Sequence, residues 1–335
     1  MEIRKVQLTG GSSFVLTLPK DWIRSMGIKK NDALGLVAQP DGTLMVTTRT
    51  TEVRPHRVKE IKAEAVGDQT HLFRILIGAY IMGFSTITVR SVGRMPAATR
   101  ETVLRFAQMT VGPEIMEETV STVTVRDLLN PTEMPFDKTI RRMHILVRTM
   151  HEDALLALET RNGALAEEVR RRDPDVNRLN WLVARQYNMV LNDMTLARRM
   201  GVGLEEASHW FLIARILERI GDHGIRIVKG VLQLVDRRPE REIGASIKAA
   251  SAESLALLDG GLDSWFKRDI RAANENIDSL TALLAKCERI HQSAQHVKSA
   301  YSIPVTDIAE SIRRTGEYAA DISELVINSL VTEMK

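Results

Sequence analysis

The stretch Ala214-Arg215-Ile216-Leu217-Glu218-Arg219-Ile220-Gly221-Asp222-His223 recurs loosely as Ala309-Glu310-Ser311-Ile312-Arg313-Arg314-Thr315-Gly316-Glu317-Tyr318, 95 residues further on. A second pair repeats at an offset of 101: Asp173-Pro174-Asp175-Val176-Asn177-Arg178-Leu179 and Asn274-Glu275-Asn276-Ile277-Asp278-Ser279-Leu280. Self-similarity at a near-constant spacing marks a duplicated structural unit. The difference between the two offsets places a shorter connection in the second copy, opposite residues 199–204 of the first. Both copies lie beyond Pro135, where the residues read as helical to the end and the only prolines are Pro174, Pro239 and Pro304. The pattern predicts helices over 136–161, 163–200, 204–236, 240–267, 269–299 and 304–332. Six helices with an internal repeat imply two three-helix bundles.

Upstream, the texture changes twice. Residues 55–130 alternate strand and helix. Strands are expected at 57–65, 85–90, 115–118 and 122–126, and helices at 70–83 and 97–110, which implies one sheet with helices packed on it. The first 50 residues read as two hairpins. Val6 and Leu8 alternate, Gly10-Gly11-Ser12-Ser13 turns the chain, and Phe14, Leu16 and Leu18 alternate again. Pro19 opens a short helix that Gly27 ends. Leu34, Leu36 and Val37, then Asp41-Gly42, then Leu44 and Val46 form the second hairpin. The expected organisation is therefore multidomain and mainly α: a hairpin domain over 1–50, a small α/β domain over 51–134, and the paired bundles over 135–335.

The 335 residues suffice for such a division. The apolar and charged fractions, 44% and 27%, suit a soluble globular chain. Net charge is +3, unevenly spread: residues 1–57 hold nine Lys/Arg against five Asp/Glu, and the rest hold 37 against 38. A basic head on a neutral body suits contact with nucleic acid, although a mildly basic surface gives the same balance. A single cysteine, Cys287, excludes an internal disulfide and a multi-cysteine zinc site. The N-terminus has no apolar core like that of a signal peptide. No apolar run reaches the ~20 residues of a membrane span, and the longest, Leu72 to Phe84, contains Arg74. A cytoplasmic location is expected.

The repeated stretch also carries chemistry. Glu218 and Asp222 are four residues apart and share a helix face, as do Glu317 and Asp321. Such pairs can hold a cation between adjacent turns when a neighbouring helix adds acids, here Asp173 and Asp278. Equally, they are ordinary solvated faces, and Glu218 has Arg215 within one turn as an ion-pair partner. Leu217–His223 resembles the signature of the PhoU family, and Ala166–Asn177 is similar to that family's second-helix motif. The resemblance covers residues 136–332. It implies two three-helix repeats with acid-x-x-x-acid turns, a role in restraining phosphate uptake, a partner such as a phosphate transporter ATPase or a sensor kinase, and in some members clusters of iron or zinc. The implied metal positions are Asp173, Glu218, Asp222, Asp278, Glu317 and Asp321. This chain departs from the pattern at Asn177, Asn274, Arg226 and Arg313, so each site has fewer acids than the family pattern.

The head resembles the AbrB/SpoVT family. Arg4-Lys5-Val6-Gln7, Leu16-Thr17-Leu18-Pro19-Lys20 and Met26-Gly27-Ile28-Lys29-Lys30-Asn31-Asp32 carry the likeness. The family often has Gly where this chain has Asn31, a residue that tolerates left-handed geometry. The resemblance implies hairpins swapped between two chains into a DNA-binding β-barrel, hence a homodimer. Some 45 residues with few large apolar groups can hardly bury a core alone, which agrees with swapping. Arg4, Lys5, Lys20, Arg24, Lys29 and Lys30 are the candidate DNA contacts, although such heads also serve purely as dimerisation modules. The middle segment, with Ile77–Phe84, Thr86–Arg90 and Gly112–Glu118, resembles the corresponding region of archaeal proteins that join these two modules. Packing and small-ligand sensing are its open readings. The expected function is regulation of phosphate uptake by a DNA-binding regulator; the alternative is an adaptor that binds a transporter ATPase or kinase without DNA. An enzyme is not expected: histidines near the acids are few, and no H-x-x-x-H pair is present.

Overall fold

A computed structural model of the protein describes residues 2–38, 42–48, 56–235, 240–296 and 299–331. The chain divides into two compact units, Met1–Pro55 and His56–Lys335.

In the first unit, β1 (Gln7–Thr9) and β2 (Ser13–Val15) form an antiparallel hairpin with Leu8 opposite Phe14. The turn needs left-handed backbone, and Gly10 and Gly11 supply it at φ 66° and 80°. Helix α1 (Lys20–Ser25) follows Pro19 directly. It ends as expected at Gly27, where Ile28 N–H donates to Ile23 O and Gly27 N–H to Arg24 O. Asn31 takes φ 71°, the left-handed geometry its side chain tolerates. Strands β3 (Gly35–Ala38) and β4 (Leu44–Thr47) form the second antiparallel hairpin. Asp41, in its turn, lies outside the described residues.

The second unit begins with a four-stranded sheet, ordered β5-β6-β8-β7. Its strands are β5 (Val58–Lys62), β6 (Thr86–Arg90), β7 (Pro113–Glu118) and β8 (Thr122–Asp127). The pair β5 and β6 is parallel and linked through α2 (Gln69–Ile81), while α3 (Ala97–Met109) connects β6 to β7. Residues 63–65, expected to extend the first strand, turn instead into a short 3-10 helix. Ile87, Val89, Val123 and Val125 from the sheet pack with Leu76, Tyr80, Val103 and Phe106 from the two helices.

Among the described residues, seven helices follow. The first repeat has α4 (Phe136–Thr160), α5 (Gly163–Asn192) and α7 (Leu204–Leu234); the second has α8 (Arg241–Lys267), α9 (Ile270–Gln295) and α10 (Ser299–Leu330). The expected helix over 163–200 breaks at Asp193. Its carboxylate accepts from Thr195 and Leu196 N–H and starts a separate α6 (Met194–Arg199). That short helix fills the longer connection of the first repeat. Pro174 lies inside α5, as the expected span implied, whereas Pro304, expected to open the last helix, lies one turn inside α10. Both first helices end alike: Arg161 and Arg268 adopt φ 57° and 55°, and the next residue, Asn162 or Asp269, caps the following helix. One continuous core, from Phe136 to Ile322, joins the two bundles.

Candidate functional site

The acid turn of the first repeat lies where α5 faces α7. Asp173 is half-buried, and Asn177 Nδ2 donates to its carboxylate at 3.0 Å. On α7, Glu218 is mostly covered, with Arg215 no nearer than 3.8 Å, while Asp222 is exposed. Burial raises the Asp173 carboxyl above its ordinary range, and the charge of Asp222 raises it further, against the Asn177 hydrogen bond. Burial also raises Glu218, and the charges of Asp222 and Asp173 add to it; Arg215 opposes them. The fold has therefore brought three of the six expected acids within mutual electrostatic reach and left them under-neutralised.

The second repeat answers the same geometry differently. Arg313 stands where the first repeat has Glu218, and its guanidinium binds Glu310 and Glu317 together. Arg314 reaches the same two carboxylates at 3.1 Å. Asp321 is exposed and its carboxyl raised by partial burial, then by Glu324; Glu317 adds to the rise and Arg219 opposes it. Asp278 is exposed on α9. Among the described residues no group of three or more His, Cys, Asp or Glu is arranged as a ligand set.

Two buried histidines form a feature the sequence did not announce. His151 on α4 is fully buried, and neither ring nitrogen has a hydrogen-bond partner. His223 on α7, also buried, leaves Nδ1 without one and packs its ring 5.7 Å from that of Tyr318, its equivalent in the second repeat. Burial lowers His151 to about 4, with the charge of His223 adding to it. His223 is lowered to about 4 by burial, then by Arg226 and Arg314, against Glu310. Both rings are therefore neutral at pH 7. A histidine on an apolar helix face was the available signal, and it does not distinguish a partnered ring from an orphaned one.

In the head, Lys5, Lys20, Arg24, Lys29 and Lys30 are all exposed, and Lys20 and Arg24 share one face of α1. Arg4 is partly covered, donating to Thr17 Oγ1 at 2.9 Å and pairing with Glu2. None of the head's described residues is buried. Ile3 is 82% exposed and Phe14 77%, with Val6, Leu8, Leu36 and Leu44 also open.

Comparison with known proteins follows this division. Residues 140–231 match the PhoU domain, and residues 7–54 match the antidote-toxin recognition family of the bacterial antitoxin MazE. No curated protein matches the chain significantly in sequence. The crystal structure of the phosphate transport system regulatory protein PhoU from Streptococcus pneumoniae is similar in fold: TM-score 0.50 at 20% identity, covering 59% of this chain and 94% of that one. PhoU from Pseudomonas aeruginosa gives a TM-score of 0.49 at 19% identity, covering 59% and 96%. Among the described residues no helix is long and apolar enough to cross a membrane.

Proposed function

The chain joins a PhoU domain to a MazE-type antitoxin-like head, and from that premise we propose that it is a dimeric, DNA-binding regulator of phosphate uptake acting in the cytoplasm. One observation carries the reading: a head of two hairpins with no buried residue and a row of open apolar side chains. Such a surface is that of half a core. A second copy, interlocking its own hairpins, would cover Ile3, Phe14 and Leu36 and close the barrel that one chain leaves open. It would also double the cations Arg4, Lys5, Lys20, Arg24, Lys29 and Lys30 for phosphate and base contact. The test is a shift assay on upstream fragments of phosphate-transport genes. Sequence-selective, salt-sensitive binding that disappears in Lys20→Ala/Arg24→Ala is expected. Equal affinity for unrelated fragments at physiological salt would overturn the reading.

The PhoU-type bundles would be the sensor. At the first acid turn the donors fit a hard or borderline cation in charge: Asp173 and Glu218 are raised by burial and by the nearby charge of Asp222, which a cation would relieve. These three, with Asn177 as a neutral donor, would hold it, and the ion would supply a fixed positive charge bridging α5 and α7. At the second turn the residues do not fit, because Arg313 and Arg314 already neutralise Glu310 and Glu317. Elemental analysis of protein purified without chelator should give at most one iron or zinc per chain, lost in Asp222→Asn. Two or more ions per chain would break the asymmetry.

The adaptor reading, in which the chain engages a transporter ATPase or a sensor kinase without DNA, is favoured by a basic stripe on α4. The shift assay separates the two.

A further inference from the structure

Helix α4 shows two faces. Its inner residues, including Ile140, Met143, Val147 and Met150, are fully or nearly fully buried in the shared core. Its outer stripe runs Lys138, Arg141, Arg142, Ile145 and Thr149, at helical spacing. Several basic side chains elsewhere on these bundles have acid partners: Arg148 has Asp259 and Glu152, Arg172 has Asp153 and Glu168, and Lys248 has Glu159. Among the described residues, Lys138, Arg141 and Arg142 make no ion pair, and all three are exposed.

Two further facts separate this stripe from an ordinary solvated face. Arg141 lays its guanidinium over the Phe266 ring, 3.5 Å from the centroid, so its position is held before anything binds. The stripe also has an apolar centre: Ile145 is 62% exposed, with Leu146 beside it. Together they line an open hollow of about 450 Å³. Its one acid, Asp175, faces Arg178 at 3.7 Å, which leaves the three cations dominant.

We propose that this stripe is a docking surface for an acidic segment of a partner protein that carries an apolar anchor. The anchor would seat on Ile145 and Leu146, and its flanking carboxylates would meet Lys138, Arg141 and Arg142. Charge complementarity selects the sign of the partner, because three cations outnumber the one acid among the described residues that line the hollow. The apolar centre selects a peptide over a polyphosphate chain or DNA, which would reward the cations and leave Ile145 unused. The pre-held Arg141 lowers the ordering cost of binding. The inference is independent of DNA binding by the head.

A display library of 16-residue segments of unbiased charge, selected against the full chain, tests this. Binders should be net acidic with apolar residues at helical spacing, should lose at least tenfold in affinity against Arg142→Glu/Ile145→Glu, and should weaken several-fold between 50 and 300 mM salt. Both substituted positions are exposed, so an unchanged thermal melt confirms that the variant is folded. Four results would overturn the proposal. They are enrichment without acidic bias, binders that the variant retains, no enrichment at all, or inorganic polyphosphate or duplex DNA bound through this stripe and competing with every binder. The head's Lys20→Ala/Arg24→Ala assay reads DNA separately, so failure of one leaves the other standing.

Discussion

Arg185 on α5 and Lys286 on α9 occupy equivalent positions in the two repeats, by the offset of 101 that relates Asp173 to Asn274. Arg185 is buried, 3% exposed, against an Asp127 that is 6% exposed. It binds that carboxylate at 2.6 Å and also donates to the carbonyls of Tyr80 and Phe84. One residue on, Gln186 donates to the carbonyls of Pro131 and Met134. Lys286 is 39% exposed and pairs with Glu253, a neighbour within its own bundle. The first bundle is therefore bolted to the sheet through α5, whereas at the equivalent position of the second bundle the ion pair stays between α8 and α9. The same helix α5 carries Asp173 and Asn177, so the acid turn and the bolt to the sheet share one element.

The largest expected effect tests that bolt. Arg185→Met leaves the Asp127 carboxylate buried and unpaired, which costs about 3–5 kcal/mol. Lys286→Met leaves a partly solvated Glu253 and costs about 1 kcal/mol or less. Urea unfolding of both variants at pH 7 checks this. Equal losses would mean that the two repeats are held alike.

His151 sharpens the comparison next. Matching the helix ends at Arg161 and Arg268 makes Leu258 its counterpart, also fully buried. The folded His151 binds its proton near pH 4, below the ordinary 6.5. As pH falls, the unfolded chain takes up the proton first. The stability attached to the neutral ring is thus whole above pH 6.5 and lost on the way down to pH 4, by about 3 kcal/mol. Asp173, Glu218 and Asp321 work with the opposite sign, because their raised folded pKa values make the folded chain take up protons first. His151→Leu, which copies the second repeat, isolates the histidine: its stability relative to the parent should rise by about 3 kcal/mol between pH 7 and pH 4. A difference independent of pH would show that the ring is not the acid-labile group.

These effects also mark what the sequence could and could not disclose. The helices were legible to within a few residues because their apolar spacing is long and regular. The break at Asp193 was not, because one capping aspartate inside a 38-residue periodic run resembles any other polar position. Pro304 misled in the opposite way: proline favours a helix start, but here the helix begins at Ser299 and runs through the buried Pro304. Arg185 and Asp127 are 58 residues apart in different kinds of element, and nothing local foretells their meeting. At the acid turns, the sequence showed which residues were missing, Glu at 313 above all. It did not show that Arg313 reaches two carboxylates rather than solvent.

The two central glycines, Gly221 and Gly316, fall at matching positions in the repeated stretch, and both let the third helix approach its neighbours. A Cβ on Gly221 would meet Val176 at 3.3 Å and Val147 at 3.5 Å; on Gly316 it would lie 2.1 Å from Leu283 Cδ2. The second bundle is the tighter one here. Gly316→Ala should cost about 1–3 kcal/mol through displaced leucines, and Gly221→Ala clearly less, as read by thermal melting. The reverse order would place the tighter packing in the first bundle.

The smallest effect bears most directly on function. In a metal-free protein, Asp222 does nothing for Asp173 and Glu218 except repel them. Asp222→Asn should therefore raise the melting temperature of chelator-treated protein by about 1 °C, a few tenths of a kcal/mol for an exposed charge. Its equivalent, Glu317, is bound by Arg313 and Arg314, so Glu317→Gln should lower the melting temperature by a similar amount. Opposite signs at equivalent positions would identify the first turn as held open for a cation and the second as already closed by arginine. Added Zn²⁺ or Fe²⁺ should then stabilise the parent protein and the Glu317→Gln variant equally, and Asp222→Asn not at all. Equal stabilisation of all three would rule out the acid turn as a cation site.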